Sequence, residues 1–214
     1  MSLFAILLGG DLVRTSRLEA QLAGAHVIAA DCGMRHAPGL GVTPELWVGD
    51  FDSVSEADIA AAPTIERQVF PREKDKTDGE LAVETAIERG ATSLVLVGAF
   101  GGERADHAFL HQTAAISLAE AGTPVILTSG DQEATPLPIA TKRFDYPDGT
   151  VFSILAFSAL SGLSVTGARW PLDNVEIAFG SSLTLSNAVS GELEITLGAG
   201  RALLLAHLSP DTNR

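Results

Sequence analysis

The sequence is poor in cysteine and in positive charge. Cys32 is the 1 cysteine among 214 residues, which excludes an intramolecular disulfide and a zinc site built from cysteines alone. Lysine and arginine number 14 against 27 aspartates and glutamates, giving a net charge of −13. Because nucleic acids and anionic membranes attract basic surfaces, neither is expected as the main partner. The balance suits a cationic substrate, or phosphates delivered as a metal complex.

A long hydrophobic run and a basic leader are also missing. The apolar run at residues 3–8 is too short to cross a membrane and follows no basic residues. We therefore expect a cytoplasmic protein. Hydrophobic residues make up 46% of the chain and charged residues 19%, which is typical of a globular protein with a sizeable core. The length allows one large domain or two modest ones.

Strand and helix patterns alternate in the first part of the chain. Apolar runs predict strands at residues 3–8, 26–30, 46–48, 65–70, 93–97 and 125–127. Helices are predicted from Asp11 as the cap through Leu22, over 55–62, from Thr77 to Arg89, and over 105–120. Thr77 and Glu80 fit a capping box. This alternation predicts an α/β domain with a mostly parallel sheet over residues 1–135.

The pattern changes after about residue 135. Short alternating runs separated by Gly, Asn, Asp and Ser occur at residues 151–155, 175–179, 193–197 and 202–205. Closely spaced strands of this kind predict an antiparallel β-sandwich or small barrel, here an all-β C-terminal domain over residues 136–214. Pro136 and Pro138 mark the junction.

Two carboxylates directly follow the third predicted strand. If the backbone is extended there, Asp50 and Asp52 point to the same side. Adjacent carboxylates repel each other and need a cation, a shared proton or open water. The alternative is a solvated Asp-rich turn with Ser53 starting a helix. Ligands of parallel sheets bind beyond the carboxyl ends of the strands, where further polar clusters of this sequence also lie.

One such cluster precedes the third predicted helix. Thr77 as its cap places Asp78 in the first turn, where a carboxylate is stabilised by roughly 0.3–1 kcal/mol, and this explains Asp78 without a function. It does not explain Asp75, which lies between Lys74 and Lys76. Carboxylates that hold Mg²⁺ beside ammonium groups that neutralise phosphate are typical of a phosphate–metal site.

Two other clusters follow strands. For Asp31, after the second strand, a helix N-cap is the simpler interpretation. Gly101 and Gly102 allow close backbone approach before a helix N-terminus that attracts anions, and Arg104 can clamp a phosphate. The loop matches neither a Walker A motif nor Gly-x-Gly-x-x-Gly, and Asp106 can also be read as a first-turn residue. Together the clusters predict a nucleotide-phosphate and divalent-cation site at one sheet edge.

These residues resemble the thiamine pyrophosphokinase family. The resemblance lies in residues 31–33, 44–53, 74–78 and 101–107, and continues at 162–163, 167–172 and 185–187. Gly-Asp-Phe-Asp-Ser followed by Asp-Lys-Thr-Asp is a specific pair. The resemblance implies an ATP-binding α/β domain, a C-terminal β-sandwich, and transfer of pyrophosphate from ATP to the thiamine hydroxyl with release of AMP. It also implies a homodimer, with thiamine between the acidic edge of one subunit and the β domain of the other.

The resemblance further implies a role for individual residues. The catalytic carboxylates would be Asp50, Asp52, Asp75, Asp78 and Asp106, the first three of them as Mg²⁺ ligands. The ATP contacts would be Asp31, Lys76, Gly101, Gly102 and Arg104. Trp170 would stack on the thiamine pyrimidine, and Ser186 and Asn187 would line the same pocket. Without the resemblance, a Trp beside Pro171 in a β domain is more often a core residue.

Three positions depart from the family pattern. Cys32 replaces a glycine, Glu103 is inserted before Arg104, and His111 stands where asparagine is common. None removes an expected carboxylate. Two other functions remain open: a diphosphokinase or nucleotide hydrolase with another acceptor, and a non-catalytic regulator that binds thiamine or a nucleotide. The number of carboxylates argues against the regulator.

Overall fold

A computed structural model describes residues 2–52, 54–55, 57, 60, 62–71, 73 and 75–209. Half of the residues of the helix predicted over 55–62 lie outside the described residues, and so do Ser53 and Lys74.

The described residues form helices and strands in the predicted order. The helical elements are α1 (Ser16–Leu22), a 3₁₀ helix (Asp31–His36), α2 (Ala37–Leu40), α3 (Asp78–Glu88) and α4 (Ala105–Glu120). The strands are β1 (Leu3–Leu7), β2 (His26–Ala30), β3 (Leu46–Gly49), β4 (Glu66–Val69), β5 (Ser93–Val97), β6 (Val125–Thr128), β7 (Gln132–Pro136), β8 (Thr141–Phe144), β9 (Val151–Ala156), β10 (Leu160–Ala168), β11 (Leu172–Ile177), β12 (Asn187–Thr196) and β13 (Ala202–His207). Of the helices described, none has the length and apolarity needed to cross a membrane.

The first half of the chain is a parallel sheet with helices. Strands β4, β3, β2, β1, β5 and β6 lie side by side in that order, and every neighbouring pair is parallel. Successive residues of a strand face opposite sides, so Ile6 joins one core cluster while Ala5 and Leu7 join the other. Burial of both faces explains why these strands are continuous apolar runs. The predicted α/β domain is confirmed.

Two helix starts show how local chemistry selects a boundary. Thr77 and Glu80 form the predicted capping box, with Glu80 N–H donating to Thr77 Oγ1 over 3.2 Å and Thr77 N–H to Glu80 Oε2 over 2.9 Å. The predicted cap of α1 is wrong, because Thr15 rather than Asp11 accepts the capping hydrogen bond. Asp11 is held elsewhere, since its N–H donates to Phe100 O over 2.8 Å.

The second half is a β-sandwich. Strand β12 pairs with β9 in one sheet and with β8 and β10 in the other, while β9 pairs with β13 and β13 with β7. Their inward side chains form one core cluster, which includes Phe152, Leu163 and Leu204. The predicted all-β domain is confirmed. Strand β7 pairs with β6 on one side and β13 on the other, so the predicted boundary after residue 135 falls within a strand; the boundary itself stays a prediction.

A buried carboxylate links the two halves. Glu133 on β7 is 2% exposed and accepts hydrogen bonds from Arg17, Gln21 and Tyr146. The Arg17 guanidinium also lies 5.1 Å from the centre of the Tyr146 ring. Burial, together with the neighbouring Glu133 charge, raises the pKa of Tyr146. Helix α1 is thereby fixed to the start of the sandwich.

Candidate functional site

One edge of the parallel sheet gathers six of the ten site residues predicted in the first half of the chain. Because β1, β2, β3 and β5 are parallel neighbours, the segments that leave their carboxyl ends lie side by side. These segments are residues 8–14, 31–36, 50–52 and 98–104. We call this region the carboxyl edge.

Asp50 and Asp52 flank a left-handed residue. Phe51 has φ 61°, a conformation that costs a side-chain-bearing residue about 1–3 kcal/mol. The prediction of an extended backbone is therefore wrong at this point. The Phe51 ring turns inward onto Trp47, with 5.1 Å between ring centres, and Asp52 N–H donates to Asp50 Oδ1 over 3.1 Å. Packing of Phe51 thus offsets the strain and leaves the two carboxylates on a tight turn at the edge.

Asp31 lies beside this turn. It has φ 43° and begins the 3₁₀ helix, whose N-cap is Ala30, so the interpretation of Asp31 as a helix cap is wrong. The buried Trp47 ring donates from Nε1 to Asp31 O over 2.8 Å. A Cβ placed on Gly49 would lie 3.3 Å from Asp31 Cα, which shows how closely the ends of β2 and β3 approach.

Cys32 lies at the centre of several charges. Burial raises the pKa of its thiol, the charges of Asp31 and Asp78 raise it further, and Arg35 acts in the opposite direction. A Cβ on Gly9 would overlap Cys32 Sγ, so the β1 and β2 loops also meet here. Asp31, Asp78 and Arg35 therefore all lie close enough to Cys32 for their charges to affect its thiol.

The segment before α3 is more exposed. Lys76 Nζ donates to both carboxylate oxygens of Glu84 over 2.6 and 2.7 Å, and this hydrogen bonding raises the pKa of Lys76. Asp75 is exposed. Within the described ranges, no three or more His, Cys, Asp or Glu side chains are close enough to hold a metal ion. The metal ligand set Asp50, Asp52 and Asp75 therefore stays a prediction.

The glycine-rich loop after β5 packs against the loop after β1. Gly101 and Gly102 have φ 65° and 77°. A Cβ on Gly101 would overlap the carboxylate of Asp11, and one on Gly102 would lie 3.1 Å from Gly10 Cα. The glycines are thus required for close contact between the two chain segments.

Arg104 and Asp106 pair with each other. Arg104 Nε and Nη2 donate to the two Asp106 oxygens over 2.9 and 2.7 Å, and both side chains are more than 60% exposed, at 63% and 65%. The guanidinium holds the pKa of Asp106 well below its usual range. Exposed ion pairs contribute only about 0–1 kcal/mol, so a phosphate can replace the carboxylate at this arginine.

Sequence reasoning missed two residues of the edge. Arg35 Nη2 donates to Gly9 O over 2.5 Å and to Gly10 O over 3.2 Å. His36 Nε2 lies 3.0 Å from Gly10 O, and burial lowers the pKa of His36. Gly10 and Arg35 are 25 residues apart along the chain and are brought together by the pairing of β1 with β2, so no local motif indicates this contact.

A cavity of about 450 Å³ lies between α3 and α4, next to the carboxyl edge. Gly79 and His111 line it together with mainly apolar side chains such as Leu96 and Leu110. His111 Nδ1 lies 3.2 Å from Ala99 O, and burial lowers the pKa of its imidazole.

The β-sandwich contains a cavity of about 310 Å³. Its lining residues are Phe152, Ile154, Val165, Trp170, Leu172, Leu183, Thr184, Leu185 and Asn187. Trp170 is 53% exposed, which makes the alternative of a core tryptophan wrong. The Arg169 guanidinium lies 4.8 Å from the centre of the Trp170 ring.

Asn187 holds the backbone of Trp170 in place. Its Nδ2 donates to Trp170 O over 2.8 Å, and its Oδ1 accepts from Trp170 N over 3.1 Å and from Ala188 N over 2.8 Å. The side chain is 8% exposed. Ser186, the residue before it in the chain, is exposed and has φ 58°, and its N–H donates to Ser153 Oγ over 3.0 Å. Asn187 therefore orients the wall of the sandwich cavity.

The sandwich cavity and the carboxyl edge are far apart along the sheet. In the strand order of the sheet, seven interstrand steps separate β3 from β9. Asp50 follows β3, and β9 pairs with β12 at Asn187. At about 4.8 Å a step, this separation is on the order of 30 Å.

Comparisons with known proteins match both halves. Residues 21–127, half of the chain, match the family described as thiamin pyrophosphokinase, catalytic domain, and residues 139–201 match thiamin pyrophosphokinase, vitamin B1 binding domain. A thiamine pyrophosphokinase of Bacillus subtilis is 29% identical over 166 residues, which cover 75% of this chain and 76% of that protein.

Solved structures give the same result. A crystal structure of the Bacillus subtilis thiamine pyrophosphokinase superposes with a TM-score of 0.83, covering 97% of this chain and 100% of that one at 24% identity, a likeness of fold. A thiamin pyrophosphokinase from Geobacillus thermodenitrificans superposes with a TM-score of 0.79 at 26% identity, covering 99% of both chains. The chain belongs to the thiamine pyrophosphokinase family.

Proposed function

We propose that the protein transfers the pyrophosphoryl group of ATP to the hydroxyl of thiamine, giving thiamine diphosphate and AMP. The observation that carries this function is the presence of both family domains in one chain. The catalytic-domain match contains Asp31, Asp50 and Gly101, and the vitamin B1 binding match contains Trp170 and Asn187. Because ATP is the co-substrate, we propose the cytoplasm as the location.

The reaction requires alignment more than covalent chemistry by the protein. The hydroxyl oxygen of thiamine forms a bond to the β-phosphorus, and the bond from that phosphorus to the α,β-bridging oxygen breaks, so that AMP leaves. Phosphoryl-type transfer is accelerated chiefly by holding the two reactants in line and by stabilising charge. The glycine-lined carboxyl edge is the proposed place for the triphosphate, because N–H groups and cations can approach it there. The flat base is proposed to enter the mainly apolar cavity between α3 and α4.

Asp50, Asp52 and Asp75 are the proposed ligands of Mg²⁺. Their carboxylate oxygens are the donors that this ion prefers, and Asp50 and Asp52 are already on one turn. When bound, the ion would offset the negative charge of the phosphate oxygens. The turn at residues 50–52 would also keep the Asp50 and Asp52 carboxylates at the carboxyl edge while ATP binds and the products leave.

Asp78 is the proposed acceptor of the hydroxyl proton. As long as Asp106 is paired with Arg104, this bidentate pair lowers the pKa of Asp106 and makes it a weak base. Asp78 lies in the first turn of α3, and its charge acts on Cys32 at the carboxyl edge. We therefore favour Asp78 over Asp106.

The sandwich cavity is the proposed thiamine site. A flat cationic heteroaromatic ring suits the exposed face of an indole, and Trp170 presents such a face next to apolar walls. Arg169 covers part of the ring system, so the thiamine ring is proposed to stack on the side away from that guanidinium. The net charge of −13 also favours a cationic substrate.

A homodimer is proposed because the two regions are too far apart for direct transfer within one chain. A separation on the order of 30 Å exceeds the length of thiamine. The sandwich also exposes large apolar side chains that line its cavity: Trp170, Leu183 and Leu185, which are 53%, 63% and 45% exposed. Apolar clusters of this kind are typical of protein interfaces. A second copy would bury them and bring its carboxyl edge to the cavity.

The experiment that tests the function is AMP release from Mg·ATP with and without thiamine, with mass analysis of the products. We expect AMP and thiamine diphosphate in equal amounts, only when thiamine is present. ADP as the product would contradict pyrophosphoryl transfer and indicate a γ-kinase. AMP with another acceptor would indicate a different diphosphokinase, and thiamine binding with no nucleotide product would support the regulator.

The shared site is tested by mixing two inactive variants. Asp52→Asn damages the carboxyl edge and Trp170→Ala damages the cavity. In a heterodimer one of the two sites would then keep both intact parts. We expect each variant alone to be inactive and verified heterodimers to recover up to half of the wild-type activity per dimer. Failure to recover activity would indicate a site formed within one chain.

A further inference from the structure

We infer that Arg35 binds a phosphate of ATP at the carboxyl edge. This inference rests on the proposed function and adds a contact that neither the motifs nor the family resemblance indicated. It is carried by the position of Arg35, by the two carbonyls that hold its guanidinium, and by its freedom from carboxylate partners within the described residues.

The position of Arg35 is central to the edge. Its charge acts on the Cys32 thiol together with Asp31 and Asp78, and it acts on the His36 imidazole together with Asp11. Arg35 therefore contacts the loop after β1 and lies near the charged groups that follow β2 and begin α3. A triphosphate that lies across this edge passes within reach of it.

Two backbone carbonyls orient the guanidinium. Nη2 donates to Gly9 O and Gly10 O over 2.5 and 3.2 Å. In the described part of the chain, Nε and Nη1 make no hydrogen bond, and the side chain is exposed. Nε and Nη1 therefore keep N–H groups that can donate to phosphate oxygens, each by itself, because both bidentate edges of a guanidinium include Nη2.

Within the described ranges, the other arginines of this edge and the neighbouring Lys76 are engaged by carboxylates, Arg14 by Glu19. Arg104 is held by Asp106, and Lys76 is held by Glu84. Arg35 has no ion pair within the described ranges, although the protein carries a net charge of −13. An acidic edge repels a triphosphate, and a cation without an acidic partner offsets this repulsion at no cost in broken ion pairs. His36 supplies no comparable charge at neutral pH, since burial lowers its pKa.

The test compares nucleotide binding by Arg35→Gln, Arg35→Lys and a matched control, measured by calorimetry with ATP and with adenosine. Arg201→Gln is the control, because it removes the same charge beside Glu120, at the opposite end of α4 from Arg104. For Arg35→Gln we expect ATP to bind about tenfold or more weakly, the loss typical of a charge-assisted hydrogen bond. Adenosine and thiamine binding should be unchanged, and Arg35→Lys should lose less.

Each outcome decides the inference. Wild-type affinity of Arg35→Gln for ATP would overturn it, and so would an equal loss for adenosine, because that result would indicate a structural role in holding the Gly9–Gly10 loop. Failure of the wild-type protein to form AMP would overturn the proposed reaction and leave the ATP-binding comparison as a test of Arg35. Failure of the wild-type protein to bind ATP would overturn both.

Discussion

The carboxyl edge and the sandwich cavity differ in how far their side chains are arranged before a ligand binds. At the edge, Asp52, Asp75 and Arg104 are exposed on loops, and Arg104 pairs with a neighbouring carboxylate. In the cavity, the Asn187 amide is buried and makes three hydrogen bonds to backbone groups. The cavity is thus pre-formed, while the edge has charged groups that a ligand must reorganise.

The difference follows from the chemistry of the two ligands proposed. Carboxylates that converge without a cation repel each other, so an acidic site stays open until counter-charges arrive. Apolar walls such as Leu172 and Leu183 have no such repulsion and can form a cavity at once. Both regions share one feature: three of the four described non-glycine residues with positive φ are Asp31, Phe51 and Ser186. Backbone strain of this kind is concentrated at functional sites.

The largest effect on activity is expected from a substitution that damages the carboxyl edge and leaves the sandwich cavity unchanged. Asp52→Asn should reduce AMP formation by about 10³-fold, because it would remove a charge from the proposed Mg²⁺ ligands. The exposed side chain should contribute less than about 0.5 kcal/mol to the free energy of unfolding. Turnover assays and denaturant unfolding measure the two quantities. Retained turnover would remove Asp52 from the proposed metal ligands.

The next largest effect is expected from a substitution that damages the sandwich cavity and leaves the carboxyl edge unchanged. Asn187→Ala leaves backbone groups of Trp170 and Ala188 without partners and should lower the free energy of unfolding by roughly 1–3 kcal/mol. The KM for thiamine should rise, and the KM for ATP should not change. Leu193→Ala is the matched control, since Leu193 belongs to the sandwich core and is not among the residues that line the cavity. Equal changes in thiamine KM for both variants would contradict a specific role for Asn187.

The smallest expected effect is the pH dependence of the free energy of unfolding that comes from His111, a residue of the cavity next to the carboxyl edge. Burial lowers the pKa of His111, and His107 adds to this, while Ala99 O and Glu80 act against it. The unfolded chain therefore binds more protons than the native protein as the pH falls below about 6.5, the ordinary value for histidine. The free energy of unfolding should decrease as the pH falls through this window and level off below the native pKa.

The check is a comparison with His111→Asn. Asparagine does not titrate and its amide can still donate to Ala99 O, so the variant should show a weaker decrease of stability between pH 7.5 and 5.5. His36, whose pKa burial also lowers, remains in both proteins and accounts for the residual slope. Identical slopes for both proteins would show that His111 does not contribute.

Local patterns predicted the fold well wherever local chemistry sets the structure. The capping box at Thr77 and the bounds of α4 agree with the structure, because caps and helical propensity act over a few residues. The cap of α1 was wrong because Asp11 is held by the distant Phe100 carbonyl. The turn at Asp50 was also misjudged, since packing of Phe51 on Trp47 favours a left-handed residue that its own propensity does not.

The sequence by itself determined the family, the two kinds of domain and the order of chemical groups, because these follow from residue type and spacing along the chain. Only the tertiary structure decided which groups meet. The pairing of β1 with β2 brings Arg35 to Gly9 and Gly10, and the hydrogen bonds of Asn187 orient Trp170. These contacts depend on strand order and burial, which are set by the packing of the whole chain rather than by any short segment.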